Sequence, residues 1–559
     1  MLQIPKDRSW FKFYPPGFTL ELDYPKTTVY ELLETSARRF PGKTAVIFYG
    51  GKLTYRQIKE YAERMATFLA RNGIGKGDRV AIYALNSPHW IIAYFGILRA
   101  KAVVVPVNPL LRGRELEYII RDSGAKMIIT TGELLPNAKM VAEDLGLKVI
   151  AGNHTDYLPE QPELTVPDFM KVEYDLSGAI TWKEALREND PPEMTVGSDD
   201  IAMIPYTAGS TGTPKGCIHT NFTILSNTLS AAYWERVSSG AIHLSALPFF
   251  HVTGLIHSLL SPIYTGSTMV LMTRWDRKTA MDAIEKYQVT HWISIATMIF
   301  DVLADPDLPN RNLKSLRVTG GGGMPTPKAV AEKWEQVTGT KYMEGYGLTE
   351  TISQTHMNTV ENPKYGSIGI PDFGVDAMII DPLTGSPVKP GELGEIILKG
   401  PEVFKGYWNK SKETVEAFIE INGVKYFRTG DVGYMDEDGY FYIADRLKRM
   451  INRAGMKVWP AEVESKLYEH PAIQEVVVVG TPNSRVGEEV KAFIVLKEEY
   501  KGKIKAEEII TWAKEKMAPY KYPREIEFAD TIPRTGAGKI NWRLLQEKEK
   551  QKALKGGNP

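Results

Sequence analysis

Between Tyr30 and Leu271 the sequence keeps switching between two apolar periods, and this alternation constrains the fold more than any other feature. YELLETSARRF and YRQIKEYAERMATFLARNG repeat apolar residues at helical spacing, whereas TAVIFY and RVAIYAL are short, nearly continuous apolar runs. KMIITT, KVIAG, HLSALP and STMVLM continue the rhythm. Strands apolar on both faces need cover on both, so mostly parallel sheets flanked by helices are expected. Trp90 to Val107 is the most membrane-like stretch, but Arg99 and Lys101 would be costly inside a bilayer. It is predicted as a buried helix leading into a strand, with no transmembrane segment.

Elsewhere the texture changes. Asn153 to Asp199 is polar and dotted with proline, and is predicted as a surface excursion with one short helix at TWKEALREN. Beyond Gly385, GELGEIILKG and GYMDEDGYFYIADR alternate apolar and polar residues around a DEDG turn, the pattern of a small antiparallel or barrel-like unit. After Asp445, PAEVESKLYEH, EVVVVG, KAFIVL, EEIITWAKEKM and EIEFAD suggest a separate α+β domain. A chain of 559 residues exceeds the roughly 100–200 of an ordinary domain, so at least two units are expected. The reading is an α/β multidomain protein: a large domain over residues 1–445 with a small β-barrel-like subdomain, and a small mobile domain over 446–559. The tail QEKEKQKALKGGNP is charged, then glycine-rich, and is expected to fray.

Lys+Arg and Asp+Glu stand equal at 68 each, so the whole chain lacks the basic surface that a nucleic-acid backbone needs as partner. A single cysteine, Cys217, excludes an intramolecular disulfide and a cysteine-cluster metal site, and fits the cytoplasm. The start, MLQIPKDRSWFKFYPPG, lacks the unbroken apolar run of a signal peptide.

The strand-like DIAMIPY runs into TAGSTGTPKG, Thr207 to Gly216, and then into a helical stretch from Asn221 to Trp234. Glycines and small hydroxyl residues let N–H and O–H groups converge on phosphate oxygens, with Lys215 as counter-charge. Pro214 before the lysine rules out a Walker A motif. Alone, such a loop is equally compatible with an ordinary turn. Four more segments follow in order: EGYGLTET, ending at Thr351; RTGD, Arg428 to Asp431; DRLKRMINRAGMKVWPAEVE, Asp445 to Glu464; and PRTGAGK, Pro533 to Lys539.

This ordered series resembles the signature of the adenylate-forming superfamily, which includes acyl-CoA synthetases, peptide-synthetase adenylation domains and beetle luciferases. The likeness runs from LTYRQI to Lys539 and implies in-line attack of a carboxylate on the α-phosphorus of ATP. Both partners are anionic, so positioning and charge neutralisation carry such a reaction. The resemblance implies that Thr207, Ser210, Thr211, Gly212 and Lys215 cradle the β and γ phosphates. Thr349 would contact the α-phosphate and Glu350 would hold Mg2+. Gly320 to Gly323, above all Gly321, Gly322 and Gly323, would lie along the adenine. Glu344, Gly345, Tyr346 and Gly347 would face it from the other side. Asp431 would take the ribose hydroxyls with Arg446 as partner. Lys539 would bridge the incoming carboxylate and the α-phosphate, Lys448 would mark a hinge, and Gly455 would pass the pantetheine arm of coenzyme A.

His251 in LPFFHVTGL resembles the side chain at the acyl entrance, with a core histidine as the alternative. Cys217 reads as a small buried residue. Gly347 stands where acetate-activating relatives place tryptophan, which implies an open channel walled by Trp292, Met298, Ile299, Gly322 and Met324. A medium- or long-chain fatty acid is the favoured small-molecule partner, with ATP, Mg2+ and coenzyme A. An aryl or short hydroxy acid is the alternative, and an inactive nucleotide-binding scaffold the rival from another class. Ala208 replaces the serine usual in the phosphate loop, and Leu255 a tryptophan gate. Whether the protein forms a homodimer is left open.

Overall fold

The computed structural model describes residues 8–14, 19, 21–207, 213–323, 326–454, 456–483, 485–534 and 540–555. Contacts divide the chain into two compact units. The first comprises Met1–Ala377, Leu398–Phe427 and Asp436–Phe441; the second comprises Met378–Ile397, Arg428–Met435 and Tyr442–Pro559. The expected division at 445/446 is thus joined by a more interleaved one, in which the antiparallel segments between Asp376 and Arg446 are shared out between the units.

Two large sheets organise the first unit. A seven-stranded sheet has the order His219–Thr220, Ile201–Met203, Val103–Pro106, Arg79–Tyr83, Ala125–Thr131, Lys148–Gly152 and Ile180–Thr181. All its pairings are parallel except the first. A nine-stranded sheet places Val318–Gly322 between His291–Ile295 and Tyr342–Leu348, all parallel, and continues antiparallel through Ser353–Met357 to the edge strand Ile370–Pro371. The predicted strands fill the middle of both sheets, because a run such as Arg79–Tyr83 is apolar on both faces and buries both.

Several helices start at a capping side chain. Tyr55–Arg71 begins with a reciprocal box: Gln57 N donates to Thr54 Oγ1 at 3.3 Å and Thr54 N donates to Gln57 Oε1 at 2.9 Å. Its Ile58, Ala62, Met65 and Leu69 share one buried face. Pro88–Arg99 is buried along nearly its whole length and leads into Val103–Pro106, as the sequence predicts. No described helix is long and apolar enough to cross a membrane.

Two expectations need correction. The segment after Asn153 is no mere surface excursion: Leu164, Val166, Met170 and Trp182 enter the main core, and Ile180–Thr181 adds a parallel edge strand. Its polarity and prolines mask four apolar anchors with no regular period. The tail does not fray where the charges begin, since Trp542–Lys555 is helical. Leu545 packs in a core with Val477, Val479, Phe493 and Val495, while Glu549 reaches Lys491 at 2.9 Å.

The second unit contains the strands Met456–Val458, Ile451–Arg453, Gly487–Leu496 and Ile473–Asn483, with Glu525–Phe528 parallel to Gly487–Leu496. The run EVVVVG buries both faces: Val476 and Val478 meet helices Pro460–Leu467 and Ala506–Lys516, and Val477 and Val479 meet the C-terminal helix.

The glycine run of the first unit is a strand rather than a loose turn. Ile293 pairs with Gly320, Ser294 with Gly321 and Ile295 with Gly322. A Cβ on Gly321 would overlap the carbonyl of Ser294 and the hydroxyl of Tyr342, and one on Gly320 would lie 2.6 Å from the carbonyl of Met343. Gly323 then turns with φ of 84°. Gly321→Ala is therefore expected to destabilise this unit by roughly 1–3 kcal/mol, as overpacking does, read as a lower melting temperature against the wild type.

Candidate active site

At the carboxyl end of the central parallel strands, Tyr342–Leu348 continues into the 3-10 turn Thr349–Thr351 and returns as Ser353–Met357. The register shifts between Tyr346 and Gly347, bringing Gly347 against Gln354 and Leu348 against Ser353. A Cβ on Gly347 would overlap the backbone carbonyl of Ser353. The direction a side chain would take there is filled by the returning strand, so close backbone approach is itself a reason for glycine at this exposed position. Thr351 Oγ1 accepts from Leu348 N at 3.0 Å and donates to the carbonyl of Ser353 at 2.8 Å, closing the turn.

The stem of the phosphate loop lies in the same unit. Thr207 pairs with Lys215 and Tyr206 with Gly216, which brings the loop's two ends together. Tyr206 donates its hydroxyl to Asp122 Oδ2 at 2.7 Å, and Tyr118, from the same helix Arg114–Ser123, donates to the carbonyl of Pro214 at 3.0 Å. Beyond the stem, Trp408 N donates to Gly216 O at 2.8 Å, Ile218 N to Gly406 O at 3.0 Å, and Lys405 N to Ile218 O at 2.9 Å. Cys217 is fully buried, and burial pushes its thiol up, as suits an inert small residue.

These two pieces meet. His219 Nε2 lies 2.8 Å from the carbonyl of Thr349, which can only accept, so that nitrogen carries the proton. Burial lowers the His219 pKa to about 4 and keeps the ring neutral. Tyr407 donates its hydroxyl to Glu350 Oε1 at 2.7 Å, and the ammonium of Lys215 sits 3.9 Å above the same ring. Burial, then the charge of Glu350, push the Tyr407 phenol up, so it stays a donor. The structure thus gathers Thr207, Lys215, Thr349 and Glu350 through two residues that motif reading passes over. His219 carries no periodic or spacing signal, and Tyr407 lies in FKGYWNK, outside the quoted motifs.

Tyr346 is half-buried, its ring 5.9 Å from that of His356. Glu344 is buried, accepts from Thr326 N at 2.9 Å and has its carboxyl pushed up to about 7 by burial. Its neighbour Gly345 pairs with Met357, and the carbonyl of Gly345 lies 2.6 Å from where a Cβ on Gly322 would sit. Gly322, Gly323, Glu344 and Tyr346 therefore occupy one end of adjacent strands.

The predicted acyl wall is packed tighter than expected. Trp292 is 1% exposed, stacked on Trp275 at 5.6 Å and edge-on to Trp334 at 5.6 Å. Met298 and Ile299 belong to the same core cluster. His251 is exposed beside Phe250, with ring centroids 4.4 Å apart, so the core-histidine alternative is excluded. Sequence reading also missed a buried chain below the turn, in which Glu235 meets His257 Nδ1, and His257 Nε2 lies 3.2 Å from Ser353 Oγ. It ties the π-helical segment Ile256–Leu260 to the returning strand.

In the second unit, the carboxylate of Asp431, 2% exposed, meets Arg446 Nε at 2.6 Å. Arg428, from the same RTGD segment, pairs with Glu395, its Nε 3.0 Å from Oε2. Thr429 donates to the carbonyl of Ile396 at 2.7 Å. Asp445 accepts from Arg446 N at 2.7 Å and Ala461 N at 2.8 Å, and exposed Lys448 sits in the 3-10 turn Leu447–Arg449. Ala208, Ser210, Thr211, Gly212, Met324, Gly455 and Lys539 lie outside the described residues.

Loss of the His219 bond to the half-buried Thr349 carbonyl in His219→Leu is expected to cost roughly 1–2 kcal/mol. Because the folded pKa lies below the unfolded value, the unfolded chain binds the extra proton as pH falls. Wild-type stability over His219→Gln should therefore be full above about pH 6.5 and shrink toward pH 4, by up to about 3 kcal/mol. Denaturant melts of both proteins across that range measure it.

The family described as AMP-binding enzyme matches residues 33–408, and the AMP-binding enzyme C-terminal domain matches residues 462–539. The chain is 41% identical to a long-chain-fatty-acid–CoA ligase of Bacillus subtilis over 98% of this chain and 99% of that protein. It is 34% identical to a feruloyl-CoA synthase of an Amycolatopsis species, over 90% and 95% of the two chains. The ATP-bound crystal structure of MatB from Rhodopseudomonas palustris superposes with a TM-score of 0.77 at 27% identity, over 93% of this chain and 98% of that one. With the phosphate-loop stem and the Thr349–Glu350 turn meeting in one unit, these likenesses establish that the chain belongs to the AMP-binding, adenylate-forming family of enzymes.

Proposed function

We propose that this protein is an AMP-forming acyl-CoA synthetase that converts a medium- or long-chain fatty acid, ATP and coenzyme A to acyl-CoA, AMP and pyrophosphate through an acyl-adenylate. The observation that carries the reading is the convergence of Lys215, Glu350 and the His219-held Thr349 on one side of the phosphate-loop stem. That grouping presents a cation, a carboxylate and a hydroxyl, the set needed to hold a triphosphate and its cation. Fatty acid is favoured over an aryl acid by 41% identity to the Bacillus subtilis ligase, against 34% to the feruloyl-CoA synthase.

In this reading Thr207 and Lys215 hold the outer phosphates together with Ser210, Thr211 and Gly212. Thr349 orients the α-phosphate, while Tyr346 and Gly321 to Gly323 flank the adenine with Glu344, Gly345 and Gly347. Among the described residues, no three His, Cys, Asp or Glu side chains cluster to form a metal cage. Glu350 still fits Mg2+: one oxygen takes the Tyr407 hydroxyl, the other accepts no hydrogen bond among the described residues, and magnesium commonly completes its shell with phosphate oxygens and water. When bound, Mg2+ would neutralise charge on the leaving pyrophosphate. Asp431 takes the ribose hydroxyls with Arg446 beside it, Lys539 neutralises charge as the carboxylate closes on phosphorus, Lys448 serves as hinge and Gly455 faces coenzyme A. His251 stands at the acyl entrance, with Trp292, Met298, Ile299 and Met324 along the acyl path. Single-cysteine composition supports a cytoplasmic setting.

The test is acid-dependent exchange of labelled pyrophosphate into ATP, followed by CoA-dependent AMP release, across fatty acids of graded length, coumarate, ferulate and hydroxybutyrate. Highest kcat/KM for a fatty acid is expected, and preference for an aryl acid would overturn that choice. Lys539→Ala is expected to lower exchange by roughly 10²–10³-fold while sparing thioester formation from a supplied acyl-adenylate.

A further inference from the structure

Tyr407 is 8% exposed and uses two parts of one side chain. Its hydroxyl donates to Glu350 Oε1 at 2.7 Å, while its ring face receives the Lys215 ammonium at 3.9 Å. The backbone beneath is fixed from several sides: Tyr407 N donates to Thr414 Oγ1 at 2.9 Å, Phe404 N to Glu350 O at 2.8 Å, and Trp408 N to Gly216 O at 2.8 Å. The Phe404 ring packs edge-on at 4.8 Å. Few rotamers are left to such a side chain.

The arrangement solves an electrostatic problem. A lysine and a glutamate close together tend to pair, and each then neutralises the other instead of a substrate. Among the described residues no ion pair joins Lys215 to Glu350; both meet Tyr407 instead. The ammonium rests on a neutral aromatic face, an attraction that leaves its N–H donors available. The carboxylate gives one oxygen to the phenol and keeps the other uncommitted among the described residues.

We propose that Tyr407 is a positioning residue that keeps Lys215 and Glu350 from neutralising each other, its hydroxyl presetting the carboxylate for the divalent cation of the nucleotide and its ring presetting the ammonium for the phosphates. The proposal rests on the roles given above to Lys215 and Glu350. It separates two effects within one side chain, which a merely structural tyrosine would not do.

Calorimetric titration with ATP, with and without magnesium and with no acid or coenzyme A present, tests it on the full chain. In the wild type, magnesium should tighten ATP binding. Tyr407→Phe keeps the ring and loses the hydroxyl, so metal-free ATP affinity should stay within about two-fold while the magnesium-dependent gain falls by roughly ten-fold, the scale of a hydrogen bond to a charged group. Tyr407→Leu should in addition weaken metal-free ATP binding by roughly three-fold or more. Glu350→Gln should abolish the magnesium gain. Thermal melts of each variant check that it folds, and the Phe variant decides the matter alone if the Leu variant does not fold. If Tyr407→Phe keeps the full magnesium gain while Glu350→Gln loses it, the proposal fails and the reading of Glu350 survives. Equal weakening of metal-free and magnesium-loaded binding in Tyr407→Phe also overturns it. If Glu350→Gln retains the gain, the metal role of Glu350 is wrong and the proposal falls with it.

Discussion

His219 and Tyr407 grip the turn Thr349–Thr351 from outside the hairpin that forms it, and the arrangement of the site follows from those two bonds. One reaches the carbonyl of Thr349 across 130 residues of sequence, the other the carboxylate of Glu350 across 57. Both lie where water is scarce, so each bond is stronger than it would be at the surface and costly to leave unmade. A three-residue turn at a strand end would otherwise be among the more adaptable parts of a sheet. Here its backbone and its carboxylate are set before any ligand arrives, the condition under which charge stabilisation costs no reorganisation during reaction.

Close backbone approach does the complementary work. Gly320, Gly321 and Gly347 are each crowded by a neighbouring carbonyl, so the strands beside the proposed adenine face pack without side chains between them. The result is a flat, backbone-lined surface at the carboxyl ends of parallel strands, the location where open α/β sheets ordinarily bind ligands. The returning strand Ser353–Met357 is fixed in turn by the buried Glu235–His257–Ser353 chain, so the hairpin is held below as well as at its tip. Polar groups placed this deep persist only when paired, and each pairing removes an alternative register.

Much of this was legible in the chain. Alternating periods placed Arg79–Tyr83, Ala125–Thr131 and Lys148–Gly152 in sheets, because burial on both faces writes itself into residue type. Five ordered motifs pointed to the family, and Asp431 and Arg446, which the resemblance to that family set side by side, form an ion pair. The segment holding Leu164, Met170 and Trp182 read as surface because its apolar anchors follow no period. The C-terminal helix was missed because Glu549 and Lys491 pair through space, and a run of charges looks solvated until its partner is known.

The sequence by itself determined the α/β layers, the caps and turns that bound them, and the inventory of cations, carboxylates and glycines, since those depend on neighbours a few residues away. Tertiary structure alone decided that Gly347 lies against the backbone of Ser353, that Trp292 is clasped by Trp275 and Trp334, and that Lys215 and Glu350 share Tyr407. The physical reason is the same in each case: what a side chain does depends on what lies within a few ångströms of it, and strands distant in sequence become neighbours only when the sheets assemble.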